Sequence, residues 1–394
     1  MRARRLSLQG ESDWRRELEL VGADQGAWQR LCGKSSVVAL KLFDLSCPGA
    51  NILKQAMLSA GADAMVTREA VTCRADRSDA LVAGTEKAIR LAASSLRGQP
   101  FGLADVGERL EELLDAPAPP DRMELSGGAL SFGDAPLIMG IVNVTPDSFS
   151  DGGLHHDPDA AARRVSQMAA EGAQVVDLGA ESTRPGARPV PADEQLQRLG
   201  PVLERVAGGP LLSVDTSLPQ VAEAAVGMGA SIINDVTALS NPELADVAAA
   251  TGTGLVLMHM QGTPADMQQA PSYGDVLTEV YDYLAERVEL AVSRGVPRKR
   301  ILVDPGIGFG KRLPHNLALI RRLGELRGLG CRVLLGHSRK SFLGMISGES
   351  DASRRDLHTH AVTALAAGSA DMVRVHDVAG TAEVLAVAAA VGRG

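Results

Sequence analysis

The chain has 394 residues, more than one ordinary domain, and its 45% apolar and 22% charged residues describe a globular protein with ample material for a core. Its 40 basic against 48 acidic residues leave a net charge of −8, which argues against general nucleic-acid binding but leaves room for a local basic pocket. The basic start MRARR runs into polar residues rather than an apolar signal core, and no run approaches the ~18 apolar residues of a membrane helix; a soluble, cytoplasmic protein is expected.

In the first 115 residues, SVVALKLFDL, ADAMVT and DALVAGT read as strands, and ANILKQAMLSAG, EKAIRLAASSL and LADVGERLEELL as helices. This is a small α/β domain without a catalytic pattern, whose plain reading is a structural or dimerisation appendage. Trp14 and Trp28 fall here, two large rings that could support a modest core or an interface. Cys32, Cys47, Cys73 and Cys331 show neither a CxxC pair nor metal-ligand spacing, and reduced thiols fit a cytosolic protein.

The stretch DAPAPPDR breaks the chain, because Pro117, Pro119 and Pro120 remove backbone donors and fix φ; a linker is expected over 116–124. SGGALSFGDAPLIMG then reads as a short hairpin leading into a strand. From there apolar runs recur: LIMGIVNV (137–144), AQVVDLG (173–179), PLLSVD (210–215), ASIIND (230–235), TGLVLMH (253–259), RILVDP (300–305), CRVLLGH (331–337) and DMVRVH (371–376). Helical patterns separate them. Short strands alternating with helices mean right-handed βαβ units, and eight such units in this length predict an α/β fold of the (β/α)₈ TIM-barrel type over 125–394.

In such a barrel the site lies at the C-terminal strand ends, and the unusual residues gather there. Asn143 ends the first strand, before the Gly/Ser/Asp-rich loop TPDSFSDGG, which is either a lid or a plain surface loop. Thr183, Arg184 and Pro185 sit in the proline-stiffened loop after the second; a guanidinium there binds carboxylate or phosphate, or is merely solvated. Asp215, Asn234, Asp235 and Asp304 end further strands and suit a heterocycle with amino and amide edges, although Asp215 could instead cap the next helix. Met258 and Met260 share one side with His259 opposite, and His259 is either packed or functional. Phe309 and Lys311 lie in the glycine-rich DPGIGFGK. GHSRKSFLG and VRVHDV supply Arg339, Lys340, Ser341, Arg374 and His376. Arg374 and His376, two apart, point to the same side of their strand, and an inward arginine without an anion would be costly.

NVTPDSFSDGG, ESTRPGA, SVDTS, INDV, LMHMQGTP, DPGIGFGK, SRKSF and RVHDV together closely resemble, in order, the dihydropteroate synthase family over about residues 125–392. The resemblance implies loss of pyrophosphate from a pterin methylene in an SN1-like step, then capture of the cation by p-aminobenzoate. It also implies roles for single residues. Asp215, Asn234, Met258, Asp304 and Lys340 would hold the pterin, with Asp304 stabilising the cation. Asn143 would help bind Mg²⁺, and Asn143, Arg184, Arg374 and His376 would face the pyrophosphate. Thr183, Arg184, Pro185, Phe309 and Ser341 would build the p-aminobenzoate side. Sulfonamide inhibition and a homodimer are further expectations; neither nucleic acid nor membrane is an expected partner. The N-terminal domain departs from the usual pattern. Two other readings share parts of it: a pterin-binding methyltransferase domain acting on a corrinoid protein, and a non-catalytic pterin-binding partner. The methyltransferase would not need the cations of SRKS and RVH.

Overall fold

The computed structural model describes every residue except 1, 2, 5, 7, 9, 10, 25, 73, 117, 146–156, 182–188, 264, 265 and 394, with backbone alone at 30, 33 and 393. The chain forms two compact units, Met1–Ala116 and Pro117–Gly394.

The first unit is an antiparallel sheet of β1 (Val38–Ser46), β2 (Asp63–Val66) and β3 (Arg77–Gly84), in the order β1-β3-β2. Alternation makes the sheet one-sided: Ser78, Ala80 and Val82 of the central strand are buried, while Arg77, Asp79 and Leu81 are exposed. Helices Cys47–Ser59, Glu86–Leu96 and Leu103–Asp115 supply the rest of the core, with Leu53, Met57, Ile89, Leu96 and Leu110 fully buried. The first two helices start on side-chain caps, Ser46 and Thr85 accepting from the amides of Gly49 and Ala88. The expected core role of the tryptophans is not seen. Trp14 and Trp28 are half-buried, and the guanidinium of Arg15 lies 4.8 Å from the Trp28 ring centre.

The second unit opens with a hairpin, β4 (Arg122–Leu125) and β5 (Gly128–Ser131). Eight parallel strands follow: β6 (Leu137–Asn143), β7 (Val175–Gly179), β8 (Leu211–Asp215), β9 (Ile232–Asp235), β10 (Gly254–Met258), β11 (Ile301–Asp304), β12 (Arg332–Leu335) and β13 (Met372–Val375). They close into a barrel in sequence order, β13 pairing with β6, so the fold is a (β/α)₈ barrel with its helices outside.

The barrel floor explains which side chains reach the mouth. Met139, Val175, Ile232, Val256, Leu302, Leu334 and Met372 fill the interior and pack on Met123, Leu125, Leu130 and Phe132 of the hairpin segment. The segment read as a linker is therefore part of the barrel from Pro119 onward. Arg332 donates to the carbonyls of Pro119 (2.7 Å) and Pro120 (2.7 Å) and to Asp121 (2.9 Å), while Nη1 holds Asp371 (2.9 Å). Two residues beyond a floor residue the chain again points inward. Asp177, Asn234, Met258, Asp304 and Arg374 each stand two positions past a floor residue.

Candidate active site at the barrel mouth

The inward positions above the floor are largely polar, and they bond to one another. Arg374 donates from Nε to Oδ2 of Asp177 (2.7 Å) and from Nη2 to Oδ2 of Asp215 (3.0 Å). Asn234 donates from Nδ2 to the same Asp177 oxygen (3.0 Å). Asp177 is fully buried, and among the described residues its other oxygen, like the hydroxyl of Ser213 in register on β8, has no hydrogen-bond partner.

These contacts revise two arguments from sequence. The anion that balances inward-facing Arg374 is supplied by the protein itself, through Asp177 and Asp215, so burial cost alone does not demand a bound phosphate. Asp215 is no helix cap either: the next helix, Pro219–Gly227, starts at Leu218 without a side-chain cap. Burial foremost pushes the Asp215 carboxyl up to about 7, against the lowering pull of Arg374 and with further upward push from Asp177.

Asp304 is also buried and its carboxyl is raised, chiefly by desolvation and against the pull of Lys340. Its Oδ1 accepts from the amide of Gly306 (2.7 Å). Lys340, half-buried at the start of the helix Ser341–Ser347, donates to the carbonyl of Ile307 and lies 4.4 Å from the centre of the Phe309 ring. Desolvation lowers its ammonium to about 8, with Asp304 opposing. Met258 is buried on the inner face of β10, where a thioether can wall a flat ring. Ser341 is exposed at the rim.

His376 pairs through Nδ1 with the hydroxyl of Ser338 (2.9 Å). Arg339 is not part of this cluster of cations. It has φ 57° and forms a two-pronged ion pair with Asp356 (2.6 and 2.7 Å). Asp235 is likewise local, accepting from Thr237 and the amide of Leu239 to hold its own turn. His259 is a packed residue: its ring lies edge-on to Tyr283 (4.9 Å) and its Nδ1 faces Lys311 Nζ (2.9 Å). Thr183, Arg184 and Pro185, and residues 146–156 of the first loop, lie outside the described residues.

Among the described residues no cluster of three His, Cys, Asp or Glu side chains could hold a metal. Asn143 Oδ1 and Asp215 Oδ2 do converge over Gly179, 3.7 and 3.8 Å from where a Cβ would stand. An amide oxygen and a carboxylate oxygen within 4 Å of one point suit Mg²⁺ that takes its other ligands from phosphate and water.

Sequence reading named most of this mouth but passed over Asp177. The available signal was a carboxylate interrupting the apolar run AQVVDLG.

Comparison with known proteins agrees with the geometry. The pattern of pterin-binding enzymes matches residues 139–376. Dihydropteroate synthase of Escherichia coli (strain K12) is 43% identical over 254 residues, covering 64% of this chain and 90% of its own length. A probable bifunctional folylpolyglutamate synthase/dihydropteroate synthase of Haloferax volcanii is 39% identical over 341 residues. This chain spans only 40% of that protein, but the match covers 84% of this chain, more than the second unit alone contains, and so reaches into the N-terminal unit. The Xanthomonas albilineans dihydropteroate synthase solved with 4-aminobenzoic acid superposes with a TM-score of 0.66 at 46% identity, over 71% of this chain and all of that one.

Proposed function

The chain belongs to the dihydropteroate synthase family of pterin-binding enzymes, and from that premise we propose that it condenses 6-hydroxymethyl-7,8-dihydropterin pyrophosphate with p-aminobenzoate to give 7,8-dihydropteroate and pyrophosphate. The observation that carries the reading is the convergence of Asp215, Asn234 and Asp304 with Arg374 and Lys340 at one barrel mouth above an apolar floor.

The pterin lies among Asp215, Asn234, Asp304 and Lys340, whose carboxylate, amide and ammonium groups match its amino and amide edges, with Met258 against the ring. The methylene C–O bond breaks heterolytically and its electron pair leaves with pyrophosphate. The positive charge spreads into the pterin, where the Asp304 carboxylate stabilises it. Arg374 and His376 hold the departing anion. Arg184 serves the same anion and, with Thr183, Pro185, Phe309 and Ser341, the p-aminobenzoate side. The arylamine lone pair then forms the C–N bond, and the nitrogen loses its proton. Buried walls exclude water that would otherwise trap the cation.

Mg²⁺ would be held by Asn143 together with pyrophosphate oxygens, and when bound it neutralises charge on the leaving group. Asn143 and Asp215 converging over Gly179 support that placement.

A homodimer is the proposed assembly. The last two long helices, Asp356–Ala366 and Val378–Arg393, present Leu357, Leu365, Val387 and Val391 at 65–83% exposure, an apolar face that a second copy would cover. No helix among the described residues is long and apolar enough to cross a membrane. A cytoplasmic location fits this reading.

The test is turnover. Purified protein with Mg²⁺ and both substrates should release dihydropteroate and pyrophosphate in equal amounts. Tight pterin binding without turnover would instead support the non-catalytic reading.

A further inference from the structure

The loop after β11 is held through a row of its own carbonyls. Four consecutive carbonyls each accept from a different side chain: Ile307 from Lys340, Gly308 from Gln268 (2.7 Å), Phe309 from Lys311 (2.9 Å) and Gly310 from the Tyr273 hydroxyl (2.8 Å). Its amides are tied as well, Gly306 to Asp304 (2.7 Å) and Gly308 to Asn316 (2.8 Å). Gly306 and Gly310 take φ of 66° and 62°, and a Cβ on either would stand 1.9 Å from the His259 carbonyl oxygen or 2.3 Å from that of Gln261. The loop is thus pressed against the segment that follows β10, in a conformation open only to glycine at those two points.

Lys311 is the unusual member of this set. It is 3% exposed, and among the described residues no carboxylate forms an ion pair with it. Its Nζ donates to the His259 carbonyl (3.3 Å) and the Phe309 carbonyl (2.9 Å) and lies 2.9 Å from His259 Nδ1. Burial holds the His259 imidazole neutral, down to about 3. Burial pushes the Lys311 ammonium well below its ordinary range, against the pull of Asp304, and its contacts with His259 join this loop to the segment after β10.

We infer that Lys311 is a positioning residue for the arylamine substrate, acting through the backbone of Phe309. This rests on the placement of Phe309 at the p-aminobenzoate side. The Phe309 ring lies against the Lys340 ammonium, and Lys340 in turn bonds to the Ile307 carbonyl. A shift of the Phe309 backbone therefore moves the aromatic wall of the arylamine side.

Steady-state kinetics of the full chain test this with Phe309→Ala, Lys311→Met, Gln268→Ala and Tyr273→Phe. Phe309→Ala should raise KM for p-aminobenzoate roughly tenfold or more, and Lys311→Met about five- to tenfold, since displacements near 1 Å matter at this scale. KM for the pterin pyrophosphate should stay within about twofold in Lys311→Met. Gln268→Ala and Tyr273→Phe, each removing one tie, should raise the p-aminobenzoate KM about two- to threefold. A raised KM in Phe309→Ala with a wild-type KM in Lys311→Met overturns the inference, as does an equal rise for both substrates in Lys311→Met. Should Lys311→Met fail to fold, unchanged values in both Gln268→Ala and Tyr273→Phe overturn it. An unchanged KM in Phe309→Ala removes Phe309 from the arylamine site, and the inference with it.

Discussion

Arg374 and Asp177 meet at the barrel mouth with Nε and Nη2 of the guanidinium 2.7 and 2.6 Å from a single carboxylate oxygen. That oxygen also accepts from Asn234, so one buried carboxylate orients two residues assigned to substrate. Asp177→Asn keeps the shape and removes the charge. Its kcat/KM for the pterin pyrophosphate should fall roughly 10- to 100-fold, the size expected for charge-assisted hydrogen bonds. If Asp177 acts through Arg374, the double variant with Arg374→Ala should be little worse than Arg374→Ala alone. Fully multiplicative losses would separate the two residues.

Arg374→Ala tests the anion directly. Affinity for the pyrophosphate ester should drop about tenfold or more beyond any loss for the bare pterin, because only the ester carries the group the guanidinium is assigned to hold. Calorimetric titration of both ligands reads the difference. Equal losses would return Arg374 to a purely internal role with Asp177 and Asp215.

Asp215 carries a pH signature. Its carboxyl titrates near 7 in the folded chain against 3.8 in an unfolded one, so the native state binds the extra proton between those values. Stability from this group is present below about pH 4 and is lost as pH rises through 7. Asp215→Asn cannot ionise and escapes that loss. Its melting temperature relative to the parent should rise by a few degrees between pH 5 and pH 8, while activity collapses. A pH-independent difference would argue that the carboxyl titrates normally.

The exposed leucines make the assembly testable. Leu365, 83% exposed on the helix Asp356–Ala366, should tolerate Asp in a monomer but not within a dimer core. Sedimentation of Leu365→Asp should show a shift toward monomer with a melting temperature little changed when dilute. A parent protein that is itself monomeric at tens of micromolar would remove the proposal.

Much of the barrel was legible because parallel strands, covered on both faces, read as continuous apolar runs; the strands begin and end within about two residues of those runs. The tips were legible as polar residues closing apolar runs, which gathered Asn234, Asp304 and Arg374 at one barrel mouth. What escaped depends on distant partners. Asp177 reads as an ordinary strand residue until Arg374, 197 positions later, turns toward it. Asn234 and Asp235 look equivalent side by side, yet alternation sends one inward and the other to its own turn. Lys340 and Arg339 divide in the same way, with Asp356 claiming the latter. The helix Glu11–Val21 carries Trp14, Leu18 and Val21 at helical spacing among charged residues, yet buries none of its side chains. The proline run announced a break in helix, but nothing local could reveal that the chain returns beneath the barrel to meet Arg332.

That return bears on how the N-terminal unit can be studied. A chain begun at Met123 would lose Pro119, Pro120 and Asp121, leaving the guanidinium of Arg332, which is almost wholly enclosed, with Asp371 as its remaining hydrogen-bond partner among the described residues. It would also shorten the strand that stoppers the barrel. Inactivity in such a truncation would report a broken floor and reveal nothing about the missing unit. Begun at Ala118, the same deletion keeps the floor intact, and any change in turnover or assembly can be charged to the first 117 residues.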